Sequence, residues 1–595
     1  MKRKAHTMPN FYPFDSAELM KKQRSIKRRL LSDNTKRIQK KIAVLGGSTT
    51  DGIVDMLDIF LLEQGIQAEF YQSEYDRYWQ DAMFSSELRE FKPDFVFIHT
   101  SNRNITEFPD MSMSGEAVRE LKKNQLFHFT QMWDKLREDL GCPIVQNNME
   151  LPYWRLLGNK DCADFHGRVS FISDLNQGFY EYAQKHEGFF IHDINYLSAQ
   201  LGLEKYSDPL YWNMYKYAVA VPLIPEFAFS LSKIFASLLG RNKKVLALDL
   251  DNTLWGGVVG DDGVEKLAIG QEVPMGQAYR EFQVYVKAQK QLGVLLTVCS
   301  KNDPENALAG LNHPDGVLRP DDFTLIKANW EPKSLNIEQT AKELDLLPES
   351  IVFVDDNPAE REIVKGSLPV EAPPMDGVEN YIHVLDKGGY FEVTNFSEDD
   401  LRRTEMYKQN AERAKMQSVF ADYGEYLDSL EMKAVIEDFS PINLARVTQL
   451  TNKSNQFNVT TRRYTQGEME AVYESPDYIR LCGRLADKFG DNGIVSVVIG
   501  RVQGEILDIE LWLMSCRVLK RDMEYAMLDV LVGEAAKRGV KVIRGHYYPT
   551  AKNKMVKELF SDFGFEKLEE DETGNTLWQL KTNGYQNKNT HISIL

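Results

Sequence analysis

Short apolar runs alternate with amphipathic stretches along the chain up to about residue 373. The predicted strands of the first group are Ile42–Leu45, Phe95–Ile98, Ile144–Val145 and Phe189–Ile191. Those of the second group lie near residues 244–250, 294–299, 323–327 and 351–354. Helical stretches between such strands predict parallel sheets with helices on their faces. The pattern therefore predicts two consecutive α/β domains, at residues 41–240 and 241–385.

A third region mixes strands and helices in a different order. Its predicted strands are 494–500, 505–514 and 541–547, and its predicted helices are 441–452, 522–538 and 552–562. This order indicates a domain with a mixed sheet at residues 431–581. Residues 386–430 are expected to be a linker, with a capping box at Ser397–Asp400 that opens a charged helix ending near Tyr423. Residues 1–40 are predicted to be a helical lead-in, and residues 582–595 a loose tail.

Composition and charge limit the class of protein. The chain of 595 residues exceeds the length at which one core keeps growing, and its apolar (43%) and charged (27%) fractions are those of a soluble globular protein. The formal net charge of −17 argues against binding to nucleic acid or anionic membranes, because both require a basic face. Basic residues in the first 41 positions lie beside Leu19 and Leu30, which predicts a surface helix packing on its own protein.

Cysteine usage and hydropathy favour the cytoplasm. The five cysteines are widely spaced and form neither a disulfide framework nor a zinc pattern. The polar stretch Met1–Asn10 is not typical of a signal peptide, and no apolar run approaches the ~20 residues that span a bilayer. We expect a cytoplasmic protein with neither nucleic acid nor a membrane as its partner.

The stretch Lys244–Trp255 carries the first candidate chemistry. It predicts a buried strand that ends in Asp249 and Asp251, and alternation along a strand places these two carboxylates on one face. Ligands of open α/β sheets bind at the carboxyl ends of the strands. Two like charges held so close require a cation or a shared proton, so the pair predicts a metal or catalytic site.

Later strand ends add compatible groups. The apolar run Gly293–Cys299 leads into Ser300, whose hydroxyl could hold a phosphate oxygen, and Lys333 precedes a helix where it could neutralise a phosphoryl group. The run Ile351–Val354 leads into a second acidic pair, Asp355-Asp356. Such carboxylates suit Mg²⁺, which binds few carboxylates together with water and substrate phosphate. The combination predicts a phosphoryl-transfer site.

These four elements, in this order, resemble the haloacid dehalogenase superfamily of phosphohydrolases and phosphotransferases. The resemblance implies that Asp249 is a nucleophile forming an aspartyl phosphate and that Asp251 is the general acid and base. It also implies that Ser300 binds the phosphoryl oxygens and that Lys333 stabilises their charge. The implied metal ligands are Asp249, the backbone carbonyl of Asp251, Asp355 and, as a ligand or its neighbour, Asp356.

Longer stretches are similar to the FkbH-like branch of that superfamily, and the similarity covers about residues 40 to 580. The stretches are Leu248–Gly263, Val298–Asp303, His313–Arg319, Lys327–Trp330 and Gln449–Tyr464. The branch is associated with removing phosphate from 1,3-bisphosphoglycerate and loading the glyceryl group onto the phosphopantetheine thiol of an acyl carrier protein. The resemblance therefore implies Mg²⁺ and phosphopantetheine as cofactors, an acyl carrier protein as partner and a phosphorylated small molecule as substrate.

Two features near the site bear on such a transfer. The short interval between Thr253 and Ser300 leaves no room for a large cap domain, which predicts an open site for a bulky substrate. Cys299 adjoins Ser300, and as a thiolate it could carry the acyl group as a thioester. It could equally be a small buried residue that ends a core strand.

The first domain resembles SGNH-type esterases through the Gly-Gly-Ser stretch that ends at Ser48, the candidate nucleophile, with Asn102 as the candidate oxyanion-hole residue. The Asp-x-x-His of that family is not evident, because the stretch beginning at Asp208 has no histidine. A serine without its base is a poor nucleophile, and His192 or His166 could serve only if the fold brought one close. We expect a structural or docking domain.

The third domain resembles the GNAT acyltransferase fold. In that fold a glycine-rich turn before a helix grips a pyrophosphate, whereas here Lys520 and Asp522 stand in place of glycines. Arg517, Lys520 and Arg521 are candidate cofactor-binding residues, but Asp522 would repel a pyrophosphate. Coenzyme A is therefore not expected to bind, while docking of a phosphopantetheine arm needs only a channel and one phosphate.

Three functions remain open on the sequence. The first is a phosphotransferase that loads an acyl group onto a carrier protein. The second is a Mg²⁺-dependent phosphatase of a small metabolite with non-catalytic flanking domains. The third is a GNAT-type N-acyltransferase, against which the glycine-poor turn counts.

Overall fold

Two parallel sheets and one mixed sheet form the framework of the computed structural model, which describes residues 12–33, 35, 37–396, 403–417, 419–454, 456–550 and 552–595. The chain divides into two units. The N-terminal unit contains Phe14–Leu239 and Tyr464–Ala471, and the C-terminal unit contains Gly240–Arg463 and Val472–Leu595. The predicted fold class, multidomain α/β with two parallel sheets and a mixed sheet, is confirmed.

The N-terminal unit is built on a five-stranded parallel sheet with the strand order β2-β1-β3-β4-β5. The strands are β1 (Ile38–Gly46), β2 (Ile66–Gln72), β3 (Phe95–His99), β4 (Ile144–Asn147) and β5 (Phe189–His192). The helices are Ser16–Ser32, Asp51–Glu63, Tyr78–Phe84, Ser86–Phe91, Gly115–Leu140, Arg168–Lys185, Ile194–Leu201, Leu203–Tyr206, Pro209–Tyr215 and Ile224–Leu238. Strands β3 and β4 are buried along their whole length, as expected of central strands in a parallel sheet.

The basic lead-in forms a helix that packs on its own unit. Asp15 caps the helix Ser16–Ser32 by accepting a hydrogen bond from the amide of Glu18. Leu19 and Leu30 are buried, and Lys27 pairs with Asp58 at 2.7 Å. The basic side chains therefore belong to the outer face of an amphipathic helix.

One apolar helix of this unit is longer than the sequence predicted any apolar run to be. Val221–Leu238 spans 18 residues with a mean hydropathy of 1.3, which is long and apolar enough to cross a membrane by length and composition alone. Just over half of it (56%) is buried inside the structure, with Phe227 and Phe235 fully enclosed. A core helix of a soluble protein passes the same test, so the stretch is weak evidence for a membrane span.

The first part of the C-terminal unit contains a four-stranded parallel sheet with the strand order β8-β7-β6-β9. The strands are β6 (Val245–Leu248), β7 (Leu295–Ser300), β8 (Leu325–Ala328) and β9 (Ile351–Val354). The helices are Val259–Asp262, Pro274–Gln291, Pro304–Leu311, Lys333–Glu343, Pro358–Ser367 and Tyr381–Gly388. Between β6 and the helix Pro274–Gln291 the chain forms a loop with one short helix, so no cap domain is inserted there.

The second part of the C-terminal unit contains a nine-stranded mixed sheet. The strands are β10 (Lys433–Glu437), β11 (Phe457–Asn458), β12 (Tyr478–Asp487), β13 (Gly490–Gln503), β14 (Ile506–Met514), β15 (Val542–Tyr547), β16 (Glu566–Glu570), β17 (Thr576–Lys581) and β18 (Ser593–Ile594). Their order is β16-β17-β15-β14-β13-β12-β10-β18, and β11 pairs with β14. The helices are Arg403–Gln417, Tyr423–Ser429, Leu444–Lys453, Met523–Lys537 and Leu559–Asp562, and the helix Gln466–Glu474 begins in the N-terminal unit and ends in this one.

The prediction that the linker helix ends near Tyr423 is wrong about its end point. Its capping box at Ser397–Asp400 lies outside the described residues, and in the described part of the region the helix Arg403–Gln417 is followed by a separate helix, Tyr423–Ser429. The first contacts both parts of the unit. Lys408 donates to the carbonyl of Asp321 at 2.6 Å, and the buried Arg413 pairs with Asp487 at 2.7 Å. This helix is therefore a packed element between two domains.

The prediction of a loose tail at residues 582–595 is also wrong. Ser593–Ile594 forms strand β18, which pairs in parallel with β10, and Ile592 is buried. The carboxylate of Asp529 accepts hydrogen bonds from the Tyr585 hydroxyl at 2.5 Å and from two backbone amides of the tail. Long-range pairing orders a segment whose polar composition is typical of a tail.

Candidate active site

The carboxyl end of the four-stranded sheet brings three of the sequence-predicted residues into contact. Strand β6 ends at Leu248 and delivers Asp249, whereas β9 ends at Val354 and delivers Asp355. The ammonium of Lys333, the first residue of its helix, lies 2.9 Å from Asp249 Oδ2 and 2.6 Å from Asp355 Oδ2. All three side chains are almost completely buried. Burial alone would lower the pKa of Lys333, but the two carboxylates raise it overall, so the lysine stays charged.

The carboxylates of Asp249, Asp355 and Asp356 form a group that fits a metal ion. One oxygen from each lies within 4.8 Å of the others. Asp249 Oδ1 is buried and has no hydrogen-bond partner among the described residues. Burial, followed by the charge of Asp249, raises the pKa of Asp355 to about 6 and raises that of Asp356. The group therefore carries excess negative charge on its oxygen atoms. A hard cation such as Mg²⁺, which binds oxygen ligands, would neutralise that charge.

The Asp251 carboxylate belongs to a separate set of contacts. It accepts hydrogen bonds from the Trp255 indole at 2.9 Å, from the Val259 amide at 3.0 Å and from the Asn302 side chain at 2.9 Å. Burial raises the pKa of Asp251 despite these donors. The structure therefore holds Asp251 in one orientation, and burial shifts its pKa in the direction that a general acid requires.

Sequence reasoning gave no role to Asn302 or to the indole of Trp255. Both residues stand in stretches that carried the family resemblance, but their contact with Asp251 depends on how two loops fold together. Trp255 is fully buried, and Asn302 is almost so. The only signal for Asn302 in the sequence is its position two residues after the strand that ends at Ser300.

The loop after Asp251 is fixed by several hydrogen bonds. Asn252 has a positive φ of 55°, and its carbonyl accepts bonds from the hydroxyls of Tyr279 and Tyr381, both at 3.3 Å. Its side chain accepts from the Gly257 amide at 2.9 Å. The buried Thr253 hydroxyl accepts from the Asp356 amide at 3.2 Å and so joins the loop to the β9 end. These contacts preorganise the backbone beside the carboxylates.

Ser300 lies where the sequence placed it, at the carboxyl end of β7. The side chain is buried, and the Ser300 carbonyl accepts a hydrogen bond from the Asn329 amide at 3.2 Å. In register it stands opposite Ala328, the last residue of β8. The ends of β6, β7 and β9 thus contribute Asp249, Ser300 and Asp355 to one edge of the sheet.

Cys299 does not lie at the mouth of the site. Its side chain is buried in a hydrophobic cluster with Leu295, Ile337 and Phe353, and its sulfur contacts the carbonyl of Lys333 at 3.6 Å. Burial raises the pKa of this thiol to about 12, so a thiolate is strongly disfavoured. The acyl-relay interpretation of Cys299 is wrong, because the residue ends a core strand.

Among the described residues, the candidate nucleophile Ser48 does not contact either candidate histidine. Ser48 Oγ is buried and has no hydrogen-bond partner among the described residues. His192 Nε2 lies 3.2 Å from Ser230 Oγ, and His166 contacts Asp164 and the Met113 carbonyl. Asn102 donates to the carboxylate of Glu150 at 2.8 Å. In these described contacts neither His192 nor His166 is bonded to Ser48.

The three candidate cofactor-binding residues after β14 do not converge on one site. Arg521 is buried, where it pairs with Asp487 at 3.0 Å and also donates to Asn410. Arg517 is buried too and donates to the Ser515 hydroxyl at 3.1 Å, whereas Lys520 is exposed. The prediction that these residues bind a cofactor together is therefore wrong for Arg521, because its guanidinium is already paired with Asp487.

The turn itself has the backbone that its fold resemblance implies. Lys520 and Asp522 have positive φ values of 62° and 59°, a conformation that glycine adopts most easily. Glu524, the second residue of the following helix, is partly buried, and burial followed by repulsion from Asp522 raises its pKa to about 7. Two acids at this helix start disfavour a pyrophosphate there.

Comparison with known proteins finds an FkbH-type N-terminal domain and similarity to a phosphatase domain. Residues 41–236 match the family described as FkbH, N-terminal domain. The crystal structure of the N-terminal part of the protein BF1531 from Bacteroides fragilis, containing a phosphatase domain complexed with Mg, is 28% identical to this chain. The match has a TM-score of 0.59 and covers 63% of this chain and 99% of that one. No curated protein matches the chain.

Shorter matches to acetyltransferases have low TM-scores. The putative acetyltransferase yncA from Salmonella typhimurium, with its cofactor acetyl-CoA, is 16% identical over 26% of this chain and 96% of its own, with a TM-score of 0.21. The ribosomal-protein-S18-alanine N-acetyltransferase from Escherichia coli is 13% identical over 26% of this chain and 99% of its own, also with a TM-score of 0.21.

Proposed function

We propose that the C-terminal unit is a Mg²⁺-dependent phosphoryl-transfer enzyme of the haloacid dehalogenase type. The observation that carries the proposal is the buried contact of Lys333 with Asp249 and Asp355 at the carboxyl end of a parallel sheet. The phosphatase domain of the Bacteroides fragilis protein, complexed with Mg, supports it. Asp249, Asp355, Asp356 and the Asp251 carbonyl would hold the metal.

The two acids of the β6 end have different roles in this proposal. A carboxylate oxygen of Asp249 attacks phosphorus, the bond from phosphorus to the leaving oxygen breaks, and an aspartyl phosphate forms. Asp251, whose pKa is raised by burial, acts as the general acid and gives a proton to the leaving oxygen. In the second half, Asp251 takes a proton from a water that attacks phosphorus, which releases phosphate and restores Asp249.

Positive charge stabilises the transferred group. Lys333 contacts Asp249, so its ammonium is placed beside the phosphoryl oxygens. Ser300 binds one of these oxygens through its hydroxyl. When bound, Mg²⁺ supplies further positive charge to the phosphoryl oxygens in the transition state.

The FkbH-like resemblance suggests the substrate, and the match at residues 41–236 supports that resemblance. The carrier thiol attacks the acyl carbon of 1,3-bisphosphoglycerate, the carbon–oxygen bond to phosphate breaks, and a thioester forms. The remaining phosphate ester is then removed at Asp249.

Because the loop between β6 and the helix Pro274–Gln291 carries no cap domain, a protein-borne arm can approach the site. Since Cys299 is buried, the thiol of the carrier acts directly. We place this reaction in the cytoplasm.

The test combines the full chain, Mg²⁺, 1,3-bisphosphoglycerate and a holo acyl carrier protein, and measures the mass of the carrier and the released phosphate. A glyceryl mass on the carrier is the expected result. Phosphate release that leaves the carrier mass unchanged would instead support the second function, a phosphatase of a small metabolite. Asp249→Asn must abolish removal of the phosphate ester, and Asp262→Asn, a surface carboxylate of the neighbouring loop, is the matched control.

A GNAT-type N-acyltransferase is the least favoured of the three functions. The acids Asp522 and Glu524 at the helix start oppose a pyrophosphate, and Arg521 is held by Asp487. Incubation with acetyl-CoA and an amine mixture should leave both unchanged.

A further inference from the structure

A strongly cationic cavity lies in the C-terminal unit between the four-stranded sheet and the mixed sheet. Its volume is about 130 Å³. Six basic side chains line it: Arg241, Lys244, Arg403, Arg446, Arg517 and Lys552. Among the described residues of the lining, Glu349 supplies the one carboxylate. In a chain whose formal net charge is −17, such a concentration of basic groups calls for a physical reason.

The cavity is separate from the candidate active site. Lys244 immediately precedes β6 and Ser350 immediately precedes β9, so the cavity lies at the amino ends of these strands. Asp249 and Asp355 follow the carboxyl ends of the same strands. A strand of four residues spans roughly 13 Å at about 3.3 Å per residue, which keeps the two sites apart. A ligand in the cavity therefore does not reach Asp249.

Lys244 gives the clearest evidence that the cavity suits an anion. The ammonium of Lys244 makes neither a hydrogen bond nor an ion pair with the described residues, although an ammonium has three donors. Burial, and then the charges of Arg403, Arg517 and Arg463, lower its pKa. Lys552 does pair with Glu349, yet burial and the charge of Arg241 still lower its pKa to about 8. Both lysines thus lose part of their affinity for a proton to burial and to neighbouring basic groups.

The remaining lining supplies donors suited to phosphate oxygens. Ser515 contributes a hydroxyl, and Arg403, Arg446 and Arg517 line the cavity with guanidinium groups, whose planar donors match phosphate oxygens. The volume is close to the ~150 Å³ of a cavity that accommodates benzene, so it suits a single small group. A metal ion is excluded by the surrounding charge, and a nucleic acid strand is excluded by the size.

We propose that this cavity binds the phosphate or pyrophosphate group of a small ligand, at a site distinct from the phosphoryl-transfer centre. The ligand neutralises the basic cluster and joins the domain of the parallel sheet to the domain of the mixed sheet. This proposal does not depend on the proposed function.

The test measures binding of inorganic phosphate and pyrophosphate to the full chain by calorimetry, in EDTA and at constant ionic strength. EDTA removes Mg²⁺ from the phosphoryl-transfer centre, and constant ionic strength removes general screening effects. We expect saturable binding with a stoichiometry of one and a raised unfolding midpoint, because a ligand that binds the folded state stabilises it. Absence of binding by both anions would overturn the proposal.

Three variants locate the binding. Lys244→Met should weaken anion affinity about tenfold and leave the unfolding midpoint of the ligand-free protein unchanged or higher, because it removes a repelled charge. Arg446→Met is a second variant in case the first folds poorly. Lys342→Met, which removes an exposed lysine of the same unit, is the matched control and should bind like the parent. Equal affinity in Lys244→Met, Arg446→Met and the control would place the anion elsewhere and reject the cavity.

Two further readouts separate this site from the active site. Asp249→Asn should retain anion binding in EDTA, and Lys244→Met should retain Mg²⁺-dependent phosphate release. Loss of binding in Asp249→Asn would assign the anion to the phosphoryl-transfer centre and overturn the proposal. Cys516 lines the cavity while Cys162 is exposed elsewhere, so pyrophosphate should slow alkylation of Cys516 and leave Cys162 unaffected.

Discussion

At the scale of single residues, Asn302 is expected to position Asp251. Its side chain donates to Asp251 Oδ2 at 2.9 Å and thereby stabilises the ionised carboxylate. Asn302→Ala should lower kcat about tenfold with little change in KM, since one hydrogen bond to a charged group is lost. It should also shift upward the pKa that the pH–rate profile assigns to Asp251. Asn312→Ala, an exposed asparagine nearby, is the control, and an unshifted profile in Asn302→Ala would show that the residue is only structural.

The positive charge of Lys333 stabilises the buried carboxylates of Asp249 and Asp355. Lys333→Met leaves Asp249 and Asp355 facing each other without their shared cation. We expect loss of about 3 kcal/mol or more in the free energy of unfolding in EDTA, as for other broken buried pairs. Mg²⁺ should restore more stability to this variant than to the parent chain, because it is then the only cation at the group.

Lys301→Met provides the control for that measurement. Lys301 is 40% exposed and pairs with Glu360, so its removal should cost less than about 1 kcal/mol. Chemical denaturation with and without Mg²⁺ distinguishes the two variants. Similar losses for both would contradict the central place given to Lys333.

At the scale of elements, the helix Pro304–Leu311 packs against the tryptophan that holds Asp251. A Cβ at Gly310 would lie 2.6 Å from Trp255 Cη2, which is too close for a real contact. Gly310→Ala should therefore displace the indole, lower activity and cost about 1–3 kcal/mol of stability, in the range of overpacked cores. Gly366→Ala is the matched control in the helix Pro358–Ser367, where nothing lies within 4 Å. It should be neutral or stabilising, because alanine is the better helix former.

Strands β3 and β5 each end in a buried histidine, and this makes the N-terminal unit sensitive to acid. Burial lowers the pKa of His99 to about 4 and that of His192 to about 3. Both folded-state values lie below the ordinary value near 6.5, so their contribution to stability is complete above pH 6.5 and is lost as the pH falls toward 4. The unfolding midpoint should fall over that window, and less steeply in His192→Gln. His383→Gln, an exposed histidine, should follow the parent, and parallel curves for all three chains would contradict the prediction.

The positions of site residues could be predicted from the sequence where a single strand places them. Asp249, Ser300 and Asp355 follow directly from apolar runs that end in polar residues. Cys299 could have been assigned to the core as well, because neighbours on a strand point to opposite faces and Cys299 precedes Ser300. The contacts of Asn302 with Asp251 depend on two loops from distant parts of the sequence, and no local pattern carries that information.

At the scale of the whole molecule, the C-terminal unit places two charged sites at opposite ends of one parallel sheet. Carboxylates collect at the carboxyl ends of β6 and β9, and basic groups collect at their amino ends. The helix Arg403–Gln417 and the mixed sheet complete the second site. Composition could not predict it, because its basic residues are scattered from Arg241 to Lys552 and only the packing of the two domains assembles them.

The C-terminal segment is expected to stabilise the mixed sheet from a distance in sequence. Removing residues 585–595 takes away the Tyr585 hydroxyl and the two amides that bind the buried Asp529 carboxylate, and also strand β18. An uncompensated buried charge costs about 3 kcal/mol, so this truncation should lower the unfolding midpoint strongly. Removal of residues 590–595 leaves the Asp529 contacts in place and should lower the midpoint far less. Asp529→Asn in the longer truncation should recover part of the loss, because a neutral amide is cheaper to bury. If both truncations unfold at the same midpoint, the contribution comes from β18 and not from the carboxylate.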